Sequence, residues 1–154
     1  MAEGDPGTAQ TAARRVLVVD DDALNRRVAA ELCARLGLVV ETAADGPAAL
    51  AMLAARPFDL VLLDDRLPGM GGPAVAVELR RREAAGALPR LPVVGVTASV
   101  LPEDLDRLLG SGMDACLAKP LLPGELRAVV ERLVPTHEAP RSGLTPPSGQ
   151  SRSG

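Results

Sequence analysis

The sequence predicts an α/β protein built around a parallel sheet. Two observations carry that expectation. Short apolar runs alternate with segments of helical periodicity through the chain, and the acidic, hydroxyl and ammonium groups suited to chemistry follow directly on the carboxyl ends of those runs. At 154 residues and 47% apolar composition, the chain can bury one ordinary domain core.

The first run, V-L-V-V at 16–19, has no polar alternation and reads as a strand buried on both faces. Asp20, Asp21 and Asp22 follow it, with Asp22 placed to cap a helix. Leu24, Val28, Leu32 and Leu36 then recur every four residues and Gly37 follows, the pattern of an amphipathic helix with a glycine stop. A strand over 38–40 leads to Asp45-Gly46 and a helix over 47–55, where Pro47 suits the first turn because its missing N–H costs nothing there. The run 60–63 is the third strand, ending at Asp64 and Asp65, and a helix over 73–82 follows. The fourth strand, 93–96, ends at Thr97 before a helix over 102–109. A weaker strand over 115–118 ends at Lys119-Pro120 before a helix over 124–133. Strict alternation implies right-handed crossovers with helices on both sheet faces, and ligands then sit beyond the carboxyl ends of the strands.

The folded unit is expected over 15–134. Residues 1–14 are small and polar and 135–154 are rich in Pro, Ser, Gly and Thr, so both ends are expected to be disordered. His137 falls in that tail and is given no role. No apolar run approaches the roughly 20 residues of a membrane span, and the start lacks signal-peptide character, so a soluble, cytoplasmic protein without membrane contact is expected. A net charge of −3 with no Trp or Tyr argues against direct nucleic-acid binding. Cys33 and Cys116 are too few for a disulfide framework and read as reduced thiols.

Asp20, Asp21 and Asp64 brought to one sheet end would repel one another unless a cation compensates, and a hard divalent ion, Mg2+ or Mn2+, meets that need. A carboxylate that attacks phosphorus forms an acyl phosphate, and the transfer depends on positioning and on neutralising charge over the phosphoryl oxygens. Thr97 can donate to one such oxygen and Lys119 can place a positive charge beside another. Asp65 reads as a solvated loop acid.

V-L-V-V-D-D-D at 16–22, D-L-V-L-L-D-D-R-L-P-G-M at 59–70, V-T-A at 96–98 and K-P at 119–120 together resemble the response-regulator receiver signature. L-N-R-R at 24–27, L-G at 36–37, A-A-D-G-P-A-A-L at 43–50 and G-M-D at 112–114 are similar to the family's pattern too. The resemblance implies a five-stranded parallel sheet of order 2-1-3-4-5, doubly wound and flavodoxin-like. It implies Asp64 as phosphoacceptor, Asp20 and Asp21 as metal-site acids, the Arg66 backbone carbonyl as a further metal ligand, and Thr97 and Lys119 as phosphoryl contacts. It also implies a cis peptide before Pro120. The implied partners are a sensor histidine kinase or a histidine phosphotransfer protein, with a downstream protein bound over about 102–133. The role implied is that of a chemotaxis-regulator-like single-domain signalling module that catalyses its own phosphorylation and dephosphorylation; a carboxyl-terminal fragment of a hybrid histidine kinase is the other setting.

Two departures stand out. Cys116 replaces the aromatic residue the family usually carries three positions before the lysine, and reads as a small packing residue. By the same resemblance, Arg66 and Ser99 look like the variable family positions that flank the path of the hydrolytic water. A haloacid-dehalogenase-like phosphatase is the rival from another class, but its nucleophile belongs to the first acidic motif and its acid pair follows the lysine, whereas Asp64-Asp65 precede both Thr97 and Lys119. A degenerate receiver that binds without phosphorylation is the remaining alternative. No nucleotide-binding glycine motif follows a strand.

Overall fold

The computed structural model describes residues 13–134. Among the described residues five strands and five helices alternate: β1 Arg15–Val19, α1 Ala23–Arg35, β2 Val39–Ala43, α2 Gly46–Ala55, β3 Leu60–Asp64, α3 Gly72–Ala84, β4 Val93–Thr97, α4 Pro102–Gly110, β5 Ala115–Ala118 and α5 Pro123–Leu133. All pairings are parallel and the sheet order is β2-β1-β3-β4-β5, so the expected 2-1-3-4-5 doubly wound α/β fold is the fold observed.

The apolar runs become central strands because both of their faces are covered. Along β1 and β3, Leu17, Val19, Val61 and Leu63 point into a core closed by Leu50 and Leu53 of α2 and Val75 and Leu79 of α3. Their neighbours Val16, Val18, Leu60 and Leu62 point the other way, against Ala29 and Cys33 of α1 and Leu126 and Val130 of α5. β2 lies at the sheet edge and carries Glu41 and Thr42, which is why it runs to Ala43 although its apolar run stops at Val40.

Capping residues set the helix starts. The Asp22 side chain accepts from the Asn25 N–H at 3.0 Å and the Asp45 side chain from the Ala48 N–H at 2.8 Å. Gly37, at φ +84°, ends α1, and the Leu38 N–H returns to the Cys33 carbonyl. Inside α1 the expected apolar face is corrected. Ala29 and Cys33 are the buried residues, whereas Leu24 and Val28 are 67% and 47% exposed. The small side chains let the helix sit close to the sheet, and the four-residue stripe of larger ones turns partly to solvent.

Three features hold the frame. Arg80 of α3 donates to the Gly112 and Leu91 carbonyls, each at 2.8 Å, and pairs with Glu83 and with Asp114 at 2.9 Å. Gly72 opens α3 hard against the carboxyl end of β3: a Cβ there would lie 2.3 Å from the Asp64 carbonyl oxygen. Arg14, placed by the sequence in a disordered extension, is part of the frame. Its carbonyl accepts from the Val39 N–H at 2.8 Å, and its guanidinium donates to the Val134 carbonyl at 3.2 Å. Residues 1–12 of that extension and the tail 135–154 with His137 lie outside the described residues.

Candidate functional site

Parallel strands bring every strand end of one kind to one edge, so Asp20 after β1, Asp64 at the end of β3, Thr97 at the end of β4 and Lys119 after β5 meet there. Asp20, Asp21 and Asp64 each place a carboxylate oxygen within 4.8 Å of the others; Asp20 and Asp64 are buried and Asp21 is exposed. Lys119 Nζ lies 2.9 Å from Asp64 Oδ1 and 3.8 Å from Asp20 Oδ2. The Asp22 N–H donates to Asp20 Oδ1 at 2.9 Å, and the Arg66 N–H to Asp64 Oδ1 at 3.3 Å. Burial raises the Asp20 carboxyl above its ordinary pKa; the Asp22 amide and Lys119 act against that rise, and the Asp64 charge adds to it.

One lysine does not balance three carboxylates. The donor set is all oxygen, partly buried and open on the Asp21 side, which fits a hard divalent cation that keeps part of its water. Next to the acids a groove of about 450 Å³ runs between α1 and the β5–α5 connection, lined by Asn25, Val28, Leu121 and Pro120 as well as by Asp64 and Lys119. The Lys119-Pro120 peptide bond is cis.

On the other side of Asp64 the structure corrects the sequence reading. Asp65, expected in solvent, is buried. It accepts from Thr97 Oγ1 at 3.2 Å and from both Arg107 guanidinium nitrogens, Nη1 to Oδ1 and Nη2 to Oδ2, each at 3.2 Å. Arg107, which the sequence reading did not single out, belongs to α4, 42 residues from its partner, and no local motif announces the pair. The hydrogen bond and charge of Asp65 raise the Arg107 pKa still further. Ser99 is likewise engaged: its N–H donates to Thr97 Oγ1 at 3.1 Å and its hydroxyl to Asp104 Oδ2 at 2.5 Å. Arg66 has an exposed side chain. Cys116 is half-buried against the core beneath β4, and burial, with the Asp65 charge second, pushes its thiol above the ordinary value. Both cysteines are free thiols, and burial pushes Cys33 up to about 12.

The family profile of the response regulator receiver domain matches residues 16–131, which takes in every strand-end residue of this cluster. The chain belongs to the response-regulator receiver family. As a receiver domain it carries its acidic pocket of Asp20, Asp21 and Asp64 for phosphoryl transfer in two-component and phosphorelay signalling, and it is a signalling module rather than an enzyme in the usual sense. It is 43% identical over 106 residues to the sensor histidine kinase RcsC of Salmonella typhimurium, a match covering 69% of this chain and 11% of that protein. It is 40% identical over 133 residues to the aerobic respiration control sensor protein ArcB of Escherichia coli, covering 86% and 17%. The chain therefore spans less than a fifth of those relatives' lengths.

Among solved structures, the receiver domain resembles that of sensor histidine kinase PA1611 from Pseudomonas aeruginosa, which holds a magnesium ion in its active-site cleft. The TM-score is 0.71 at 32% identity, covering 79% of this chain and 98% of that one. It also resembles the Vibrio cholerae chemotaxis protein CheY4, with a TM-score of 0.72 at 29% identity over 80% of this chain and all of that one. Receiver domains pair with histidine kinases or histidine phosphotransfer proteins. No described helix is long and apolar enough to cross a membrane.

Proposed function

We propose that Asp64 is the phosphoacceptor of this receiver, taking its phosphoryl group from a phosphohistidine protein. The carrying observation is the Asp64 carboxylate held 2.9 Å from Lys119 within the three-acid cluster. In the transfer the donor's N–P bond breaks, the imidazole nitrogen keeps the electron pair, and a new bond forms between an Asp64 oxygen and phosphorus. Lys119 stands beside the carboxylate that receives the group and neutralises charge gathered on it. The Thr97 hydroxyl, at the end of the neighbouring strand, supplies a hydrogen bond to a phosphoryl oxygen.

Asp20, Asp21, Asp64 and the backbone carbonyl of Arg66 would hold Mg2+ or Mn2+; when bound, the ion offsets the negative charge of carboxylates and phosphoryl group. The magnesium in the PA1611 receiver supports this reading.

The exposed Leu24 and Val28 beside the groove that reaches Asp64 favour approach of the histidine-bearing partner, a kinase or a phosphotransfer protein, over α1. Output to a downstream protein is assigned to the face over 102–133, where Leu109 and Leu122 are exposed.

Incubation with acetyl phosphate and Mg2+, followed by intact mass, tests the central reading. Wild type gains one phosphoryl group, whereas Asp64→Asn and a metal-free control gain none. Absence of any gain in wild type with metal would leave a receiver that binds without being phosphorylated.

A further inference from the structure

Thr97, Asp65, Arg107, Asp104 and Ser99 form a closed polar ring, four links between side chains and one through the Ser99 backbone amide, between the strand ends and α4. Thr97 Oγ1 donates to Asp65 at 3.2 Å and Arg107 donates to both Asp65 oxygens. Arg107 Nη2 also lies 3.6 Å from Asp104 Oδ1, the Ser99 hydroxyl donates to Asp104, and the Ser99 N–H returns to Thr97 Oγ1 at 3.1 Å. Two of its members, Asp104 and Arg107, sit one turn apart on α4, and Asp65 is the residue next to Asp64. The Asp65 charge reaches the thiol of Cys116, the position where the receiver family usually carries an aromatic side chain.

We propose that Asp65 and Arg107 are the positioning pair by which α4 responds to phosphorylation of Asp64, a polar coupling that replaces the missing aromatic one. It rests on the assignment of Asp64 as phosphoacceptor. A threonine hydroxyl has one proton, so Thr97 cannot serve Asp65 and a phosphoryl oxygen together. Its bond to Asp65, at 3.2 Å, is long for an O–H donor and is readily exchanged for a shorter one to a phosphoryl oxygen. The exchange leaves the buried Asp65 carboxylate to Arg107 alone, beside a newly arrived anion. It also moves the acceptor to which the Ser99 N–H is bound, and Ser99 in turn holds Asp104. The ring therefore opens at Thr97 and rearranges at its two α4 anchors. A packed polar ring has discrete closed and open arrangements, as a two-state coupling requires.

The test is titration of the full chain with beryllofluoride and Mg2+, a phosphoryl mimic for the aspartate, read by amide NMR. In wild type, signals of 64–67 and of α4 move together. In Arg107→Gln, Asp65 loses its counter-cation; affinity for beryllofluoride falls by about five- to tenfold, signals of 64–67 still move and those of α4 stay in place. In the double variant Asp65→Asn with Arg107→Gln the repulsion is gone, and affinity returns to within about twofold of wild type while α4 remains silent. A merely structural pair would lower stability in both variants and leave the α4 response intact. A wild-type α4 response in either variant overturns the coupling while leaving the phosphoacceptor assignment standing. If beryllofluoride moves no signal of 64–67 in wild type, the phosphoacceptor assignment itself fails, and the coupling with it.

Discussion

Replacing Gly72 by alanine tests how the site is braced. The added Cβ would stand 2.3 Å from the Asp64 carbonyl oxygen and 3.2 Å from the Asp65 Cα. An ordinary carbon–oxygen contact is about an ångström longer, and both neighbours are buried backbone at the end of β3 rather than the end of a flexible side chain. Either α3 lifts off the sheet or the end of β3 shifts. Overpacking of this kind costs roughly 1–3 kcal/mol, of which the alanine's better helix propensity returns a fraction at the first helical turn. For a domain of this size that is a fall in Tm of roughly 3–10 °C. Because the displaced group is the backbone of Asp64, uptake of phosphate from acetyl phosphate should slow by about 10- to 100-fold in molecules that remain folded. Gly124→Ala is the control: it meets nothing within 4 Å and has no positive φ, so it should be neutral or slightly stabilising. Urea denaturation and mass-resolved phosphorylation of both variants decide the matter. If Gly72→Ala unfolds within about 0.5 kcal/mol of wild type and is phosphorylated at the same rate, the bracing argument is wrong.

Three further outcomes are expected. Arg80→Ala removes the cation between the half-buried Asp114 and Glu83 and the side-chain donor to the Gly112 carbonyl, and should lower stability by about 2–4 kcal/mol, toward the low end because Arg90 still serves Asp114 and the Leu91 carbonyl and the Leu91 N–H still serves Glu83; an unchanged urea midpoint would contradict this. Burial raises the Asp114 carboxyl, but hydrogen bonds from Arg90 and the Val93 amide and the Arg80 charge outweigh it and hold the pKa below the ordinary value. The unfolded chain then binds the proton first, so the stabilisation is full above about pH 4 and drains as the pH falls through the lowered folded value; Tm should drop more steeply below that pH in wild type than in Asp114→Asn, and equal slopes would refute it. Leu24→Asp should slow phosphoryl transfer from a phosphohistidine protein far more than uptake from acetyl phosphate, and equal slowing of both would move the partner's approach away from α1.

The fold was legible because its central strands are unbroken apolar runs and its helices open at Asp22, Asp45 and several prolines, all local signals. The acids and Lys119 were legible for the same reason: each follows directly on such a run, and parallel pairing does the rest. Residues whose role comes from a partner far along the chain were not. Asp65 reads as a solvated acid until α4 folds over it and brings Arg107. The four-residue stripe of α1 is a true periodicity, yet the face with Ala29 and Cys33 packs more closely on the sheet, and period alone does not encode how near two elements approach.

The strand-end residues come from four separate stretches of chain, and the last tie among them, the Lys119 N–H to the Thr97 carbonyl at 2.8 Å, forms only when β5 docks on β4. Parallel pairings across crossovers are non-local and slow to assemble. A partly unfolded copy has its Asp64, but it has no lysine beside it and no companion acids. Competence to accept the signal thus arrives together with the finished tertiary structure, and an immature or damaged copy draws nothing from the donor's supply of phosphoryl groups.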